Sequence, residues 1–212
     1  RILGRAGKTG NLLLSDDMNI DLLKSEIEAS INVKQQLLED ESLLGQILDI
    51  SKSCLGSLRA GGKIIFCGNG GSFADAQHLS AEFTSRFLFD RPALASIALG
   101  TNNSGLTAMG NDYGYENIFS RELEALGKPE DILIGITTSG NSPNIIKGVD
   151  AAKKIGITTF VLTGQSGGKL KDLADCVHMP SNDTARIQEC HILVGHIICG
   201  FVEKVMFRDY SN

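Results

Sequence analysis

The sequence predicts an α/β fold: a parallel sheet of about five strands with helices on both faces, preceded by a pair of helices. Three observations carry this expectation. Short apolar runs rich in β-formers recur at 63–67 (KIIFC), 95–99 (ASIAL), 132–137 (ILIGIT), 158–162 (TTFVL) and 176–179 (CVHM). Segments of helical composition separate them, the alternation expected of crossover connections between parallel strands. Two of the runs end in loops of glycine or hydroxyl residues that lead straight into a helix. In such sheets ligands collect at the carboxyl ends of the strands, near the point where the strand order reverses.

The elements follow in order. Residues 1–17 show no clear period and are basic at their start; they are expected to be a vector-derived leader, with Met18 as the natural start. Residues 20–58 read as two helices with a break near 40–42, carrying Leu22, Leu23, Ile27, Ile31, Leu37, Leu38, Leu43, Leu44, Ile47, Leu48 and Ile50. Their apolar residues occupy more than one face, so residues 18–60 are expected to pack against a partner subunit as well as against their own domain, 61–212. After the first strand a helix is expected over 73–87, with Ser72 as its N-cap. Residues 104–109 read as a short helix before Gly110-Asn-Asp-Tyr-Gly114, and 118–126 as another. The third strand opens into a helix over 143–155, where Pro143 suits the first helical position, whose N–H has no intrahelical partner anyway. A short helix at 169–174, the last strand and a long helix over 185–207 complete the chain.

Bulk properties exclude several classes. With 212 residues, 42% hydrophobic and 21% charged, the chain has the composition of an ordinary globular domain. A net charge of −5 and a pI near 5.4 argue against a nucleic-acid binder that relies on phosphate neutralisation. No apolar run has the length needed to span a bilayer, and no secretory signal is visible. The five cysteines form no CxxC and sit among apolar residues, which reads as buried free thiols in a reducing compartment, the cytoplasm.

The first loop, Gly68-Asn69-Gly70-Gly71-Ser72, presents backbone N–H groups and a positive helix end to an anion. It lacks the third glycine of the dinucleotide fingerprint, since Phe73 stands in that place, and no GK[ST] follows. A nicotinamide-dependent enzyme is thereby disfavoured. His78 and Glu82 lie four residues apart on the following helix and leave from one face, as either a surface pair or a ligand pair. The second loop, Thr137-Thr138-Ser139-Gly140-Asn141-Ser142, brings four hydroxyls to another helix start, as an N-capping loop or a phosphate site. Neither loop holds an arginine or lysine, so an anion there would be held by neutral donors and dipoles. On the last helix Gln188 and His196 are separated by about 80° around the axis, with His191 on Gln188's other flank. His196 falls in an apolar run and is either a satisfied core residue or a working one; the helix by itself favours the core. His178, at a strand end, reads as incidental to any site.

GNGGSFADAQHLSAE, GNDYG, TTSGNSPNIIK, LTGQSGGKL and RIQECHILVGH together resemble the sugar isomerase (SIS) domain. Within it they are similar to the phosphoheptose isomerases, which interconvert sedoheptulose 7-phosphate and D-glycero-D-manno-heptose 7-phosphate for lipopolysaccharide or capsule. The resemblance covers residues 18–207. It implies a three-layer, flavodoxin-like sandwich around a five-stranded parallel sheet, assembled as a homotetramer with its sites at subunit interfaces. It further implies one Zn2+ per subunit, bound by His78, Glu82, Gln188 and His196. Asn69, Gly70, Gly71, Asn111, Asp112, Thr137, Thr138, Ser139 and Ser142 match the family's substrate-contacting positions, with Glu82 and Gln188 also facing substrate and Ser72 as a further phosphate donor. Phe73 replaces a polar residue of some members, and Ala185 an acidic one; both bear on fine substrate contacts and neither touches the catalytic pair.

Moving a proton between C1 and C2 through an enediol needs one group to take the carbon-bound proton and another to supply one. On the resemblance these are Glu82 as base and His196 as acid, with zinc polarising the carbonyl. Because a tightly bound carboxylate is a poor free base, a structural role for the metal stays open. A related non-catalytic SIS branch binds the bacterial replication initiator and shares the GNG loop and an ARIQE-like helix. SNDTARIQE here resembles it, whereas Glu82 and His196 set this chain apart from that branch. Isomerases of other sugar phosphates are the nearer alternative.

Overall fold

The computed structural model describes residues 19–208; the expected leader at 1–17 lies outside the described residues. Two helices come first, α1 (Ile20–Glu39) and α2 (Glu41–Arg59). They are divided at Asp40, whose carboxylate accepts from Leu43 N (3.0 Å) and so caps α2. The alternating part follows as β1 (Ile64–Gly68), α3 (Gly71–Thr84), β2 (Ser96–Ala98), α4 (Asn103–Tyr113), α5 (Ile118–Leu126), β3 (Ile132–Ile136), α6 (Pro143–Ile155), β4 (Thr158–Thr163), β5 (Asp175–His178) and α7 (Thr184–Met206).

All five strands are parallel in the order β2-β1-β3-β4-β5, so the order reverses between β1 and β3. There Ile64 pairs with Ile132 and Gly68 with Ile136, which ends both strands at the same level. Strand periodicity sorts the core into two layers. Ile64 and Phe66, with Ile132, Ile134 and Ile136, face α1, α2, α3 and α7. Ile65, Cys67, Leu133 and Val161 face α5 and α6, with Leu106 and Met109 of α4 packed alongside. The expected three-layer sandwich is what the chain forms.

Several boundaries differ from the sequence reading, each for a local reason. Ser72 does not cap α3; Gly70 does, at φ +57°, a left-handed value that favours glycine, and Ser72 is buried in the first turn. The same helix stops at Thr84 rather than 87, because the guanidinium of Arg91 takes the carbonyls of Glu82, Phe83 and Ser85. Helix α4 runs on to Tyr113, so Asn111 and Asp112 sit on its last turn and not in a glycine loop. The short helix expected over 169–174 is a 3-10 helix, Gly168–Asp172. Among the described residues no helix is long and apolar enough to cross a membrane.

Candidate active site

The loop after β1 and the first turn of α6, which follows the loop after β3, lie side by side at the switch point and are joined. Asn69 Nδ2 donates to Asn144 Oδ1 and Asn144 Nδ2 donates to Asn69 Oδ1, each at 2.8 Å. Tyr115 adds its hydroxyl to Asn69 Oδ1 (3.0 Å). Gly68, Asn69, Gly70 and Phe73 line a small cavity there with Gly100, Leu106 and Tyr115. Neither α3 nor α6 has its start capped by a side chain of its N-cap residue, so Ser142 stands at the head of α6 with its hydroxyl uncommitted to that role. Its Oγ lies 3.5 Å from Thr137 Oγ1. Ser139 is exposed, its Oγ accepting from Asn141 N, while Thr138 is half-buried. Two helix starts therefore converge on one sheet edge, an arrangement suited to an anion.

Further along α3, His78 Nε2 and Glu82 Oε1 are 3.0 Å apart, as the four-residue spacing allows. Helix α7 crosses here and brings His196, whose Nε2 lies 3.5 Å from His78 Nε2 with the rings edge to face. The crossing is close because position 195 is glycine: a Cβ there would sit 2.4 Å from Leu79 Cδ1 of α3. His78, Glu82 and His196 place one ligand atom each within 4.8 Å of one another, two imidazole nitrogens and a carboxylate oxygen, a donor set that fits a divalent ion such as zinc. Partial burial and the neighbouring His78 hold the His196 imidazole below its ordinary value, opposed by Glu82. Asp75, one turn before His78, is pushed up by burial and drawn back by that histidine.

The core histidine of α7 is thus not His196, as the helix by itself suggested, but His191. It is fully buried, and its Nε2–H donates to the Thr163 carbonyl (3.2 Å). Gln188 extends its carboxamide over the start of α3, where a Cβ on Gly71 would lie 2.8 Å from Nε2. Asn111 and Asp112 are exposed and bonded to each other (2.8 Å) at the end of α4. His178 approaches Thr163 Oγ1 at 3.4 Å, on the β5 side of the sheet. Three participants escaped the sequence reading. Asn144 and Tyr115 are ordinary polar residues whose role comes only from the approach of the loop after β1. Phe87, stacked on His196 with centroids 5.3 Å apart, lies beyond the end of α3.

The chain is similar to known proteins throughout this architecture. Residues 27–164 match the family described as SIS domain. A phosphoheptose isomerase of Aneurinibacillus thermoaerophilus is 54% identical over 190 residues, 89% of this chain and 96% of that protein. Among solved structures, a phosphoheptose isomerase from Francisella tularensis superposes with a TM-score of 0.84 at 36% identity, covering 88% of this chain and all of that one. A second, from Neisseria gonorrhoeae, gives 0.79 at 41% identity over 86% of this chain and 98% of that one. With 54% identity over 89% of its length and an SIS-domain match over residues 27–164, the chain belongs to the phosphoheptose isomerases, enzymes of the SIS-domain family.

Proposed function

We propose that this enzyme converts sedoheptulose 7-phosphate to D-glycero-D-manno-heptose 7-phosphate through an enediol, as the first step of heptose nucleotide formation for lipopolysaccharide or capsule. The observation that carries the mechanism is the meeting of Glu82 and His196, 114 positions apart in sequence, on either side of His78. In this reading the phosphate rests on the two helix starts, contacting Gly70, Gly71, Ser72, Thr137, Thr138, Ser139 and Ser142, while Asn69, Asn111, Asp112 and Gln188 contact the sugar. Glu82 takes the proton from C1 as His196 gives the ketone oxygen the proton of its Nδ1, the ring nitrogen turned away from His78, forming the enediol. In the second half Glu82 returns its proton to C2 and His196 recovers one from the C1 hydroxyl, leaving the aldehyde. Protons balance and both groups end as they began.

The donor set of His78, Glu82 and His196 supports one Zn2+ per subunit, and Gln188, whose carboxamide lies over Gly71, would be its fourth ligand on turning from there. When bound, the metal supplies polarisation of the substrate carbonyl. Glu82 turns Oε1 toward His78, which leaves Oε2 for the proton. The exposed apolar face of α1 (Ile20, Leu23, Ile27 and Ile31) supports a homotetramer with sites at its interfaces, in which the N-terminal helices at 18–60 join subunits and residues 61–212 form the SIS domain. Five buried free cysteines support a cytoplasmic location.

The deciding experiment is turnover of sedoheptulose 7-phosphate before chelation, after chelation and after adding Zn2+ back. Conversion that is lost and then restored is the expected result. Absence of conversion by folded, zinc-loaded protein overturns the substrate assignment.

A further inference from the structure

A buried ion pair ties together the supports of both proposed proton-transfer groups. Arg91 and Glu203 have side chains 1% exposed, and Arg91 Nε donates to Glu203 Oε1 at 2.9 Å. The rest of the guanidinium is spent on backbone: NH2 on the carbonyl of Glu82 itself (2.7 Å), NH1 on Phe83 (2.7 Å), Ser85 (3.0 Å) and Pro92 (3.1 Å). These include carbonyls that the end of α3 leaves without helical partners. Glu203 accepts from the N–H groups of Phe87 (2.9 Å) and Leu88 (2.7 Å). The ring of Phe87 lies on His196, inclined by 23°. His196 and Glu203 are seven residues apart on α7, about 20° around the axis, so one face of that helix carries both.

We propose that Arg91 and Glu203 are positioning residues for the isomerisation, a clamp that fixes Glu82 and His196 relative to each other. Arg91 fixes the last turn of α3 at Glu82, and Glu203 fixes the 87–88 backbone and, through Phe87, one side of the His196 ring. A buried ion pair is a weak source of net stability compared with an apolar pair of the same volume. What seven hydrogen bonds to two helices and the segment between them supply is fixed geometry. Outer residues that orient ligands and reacting groups in this way typically matter about 10- to 100-fold for metal affinity or turnover. The proposal rests on the reading of Glu82 and His196 given above.

The test compares Glu203→Gln, Arg91→Lys and Phe87→Leu with Asp131→Asn. Asp131 is equally buried and accepts from Lys63 N and Lys128 N at the opposite end of the sheet, far from both helices' site-bearing turns. Each zinc-loaded protein is assayed well below its own melting temperature for kcat and KM on sedoheptulose 7-phosphate, and its Zn2+ affinity is measured by competition with a chromophoric chelator. Glu203→Gln and Arg91→Lys are expected to lower kcat about 10- to 100-fold and to weaken Zn2+ binding about tenfold, with KM within about threefold. Phe87→Leu, which leaves the ion pair intact, is expected to lower kcat by a smaller factor. Asp131→Asn is expected to lose melting temperature while keeping kcat. Parental kcat and Zn2+ affinity in folded Glu203→Gln and Arg91→Lys would overturn the clamp, as would an equal kcat loss in Asp131→Asn. Should Glu203→Gln fail to fold, Arg91→Lys and Phe87→Leu decide. If the parent turns over no substrate, the proposed reaction fails while the Zn2+ affinities still decide the clamp.

Discussion

At the scale of single residues, the two histidines of α7 divide their labour by burial. His196 reaches the open side of the helix beside His78 and Glu82; His191, five positions earlier, is sealed inside. Glu82→Gln and His196→Ala each remove one of the two proposed proton carriers, and each is expected to cut turnover by about 10²–10⁴-fold with the circular dichroism spectrum unchanged. His191 is expected to govern acid stability instead. Burial pulls its pKa from 6.5 down to about 4, only partly offset by the bond to Thr163. Its Nδ1 has no hydrogen-bond partner among the described residues. Between those two values the unfolded chain binds a proton that the folded chain refuses. The stabilisation is therefore complete above pH 6.5, declines as the pH falls through the window, and stops declining near pH 4. Integrated over that shift the loss is about 3 kcal/mol, and urea titrations of His191→Gln beside the parent should show it missing from the variant. The sequence displayed all these histidines yet not their assignment. An apolar run around His196 looks like core, and only the approach of α3 decides which side of α7 is covered.

At the scale of elements, the site depends on how closely α3 and α7 cross. Gly195 permits that crossing, since any Cβ meets Leu79, a fully buried residue with nowhere to retreat. Gly195→Ala is expected to cost about 1–3 kcal/mol through overpacking. By pushing the two helices apart it should lower kcat more than KM, which steady-state kinetics and thermal melts together will show. The strands and long helices were legible because each carries a clear period: α5 and α6 begin and end where their apolar spacing and Pro143 place them. Boundaries set by distant groups were not. Helix α3 ends early because Arg91, seven residues beyond its last turn, consumes its carbonyls, and nothing near Thr84 announces this.

For the whole molecule, the arrangement of strands places both loops at one reversal point, and the apolar face of α1 remains uncovered. Ile20 is 68% exposed, Leu23 64%, Ile27 61% and Ile31 57%, a stripe too large for a helix meant to face water. Ile27→Glu with Ile31→Glu is expected to leave the α/β domain folded and to shift the mass measured by light scattering from that of the proposed tetramer to smaller species. A parental mass in the variant would place the interface elsewhere. The parallel sheet and its flanking helices could be read from alternation alone, and the second face on the N-terminal helices from excess leucine and isoleucine. The reciprocal amide pairing of the first loop with α6 could not, because Asn69 and Asn144 are 75 positions apart and neither is unusual where it stands.

That pairing also bears on how the protein ages. Asn69 precedes Gly70, and an asparagine followed by glycine is where a polypeptide most readily closes a succinimide and deamidates, since the glycine nitrogen is unhindered. Ring closure requires the asparagine carboxamide to turn back onto that nitrogen. Here Nδ2 is held by Asn144, and Oδ1 by both Asn144 and Tyr115. The native fold thereby shields its most perishable dipeptide, and chemical damage at Asn69 becomes a record of the time the chain has spent unfolded.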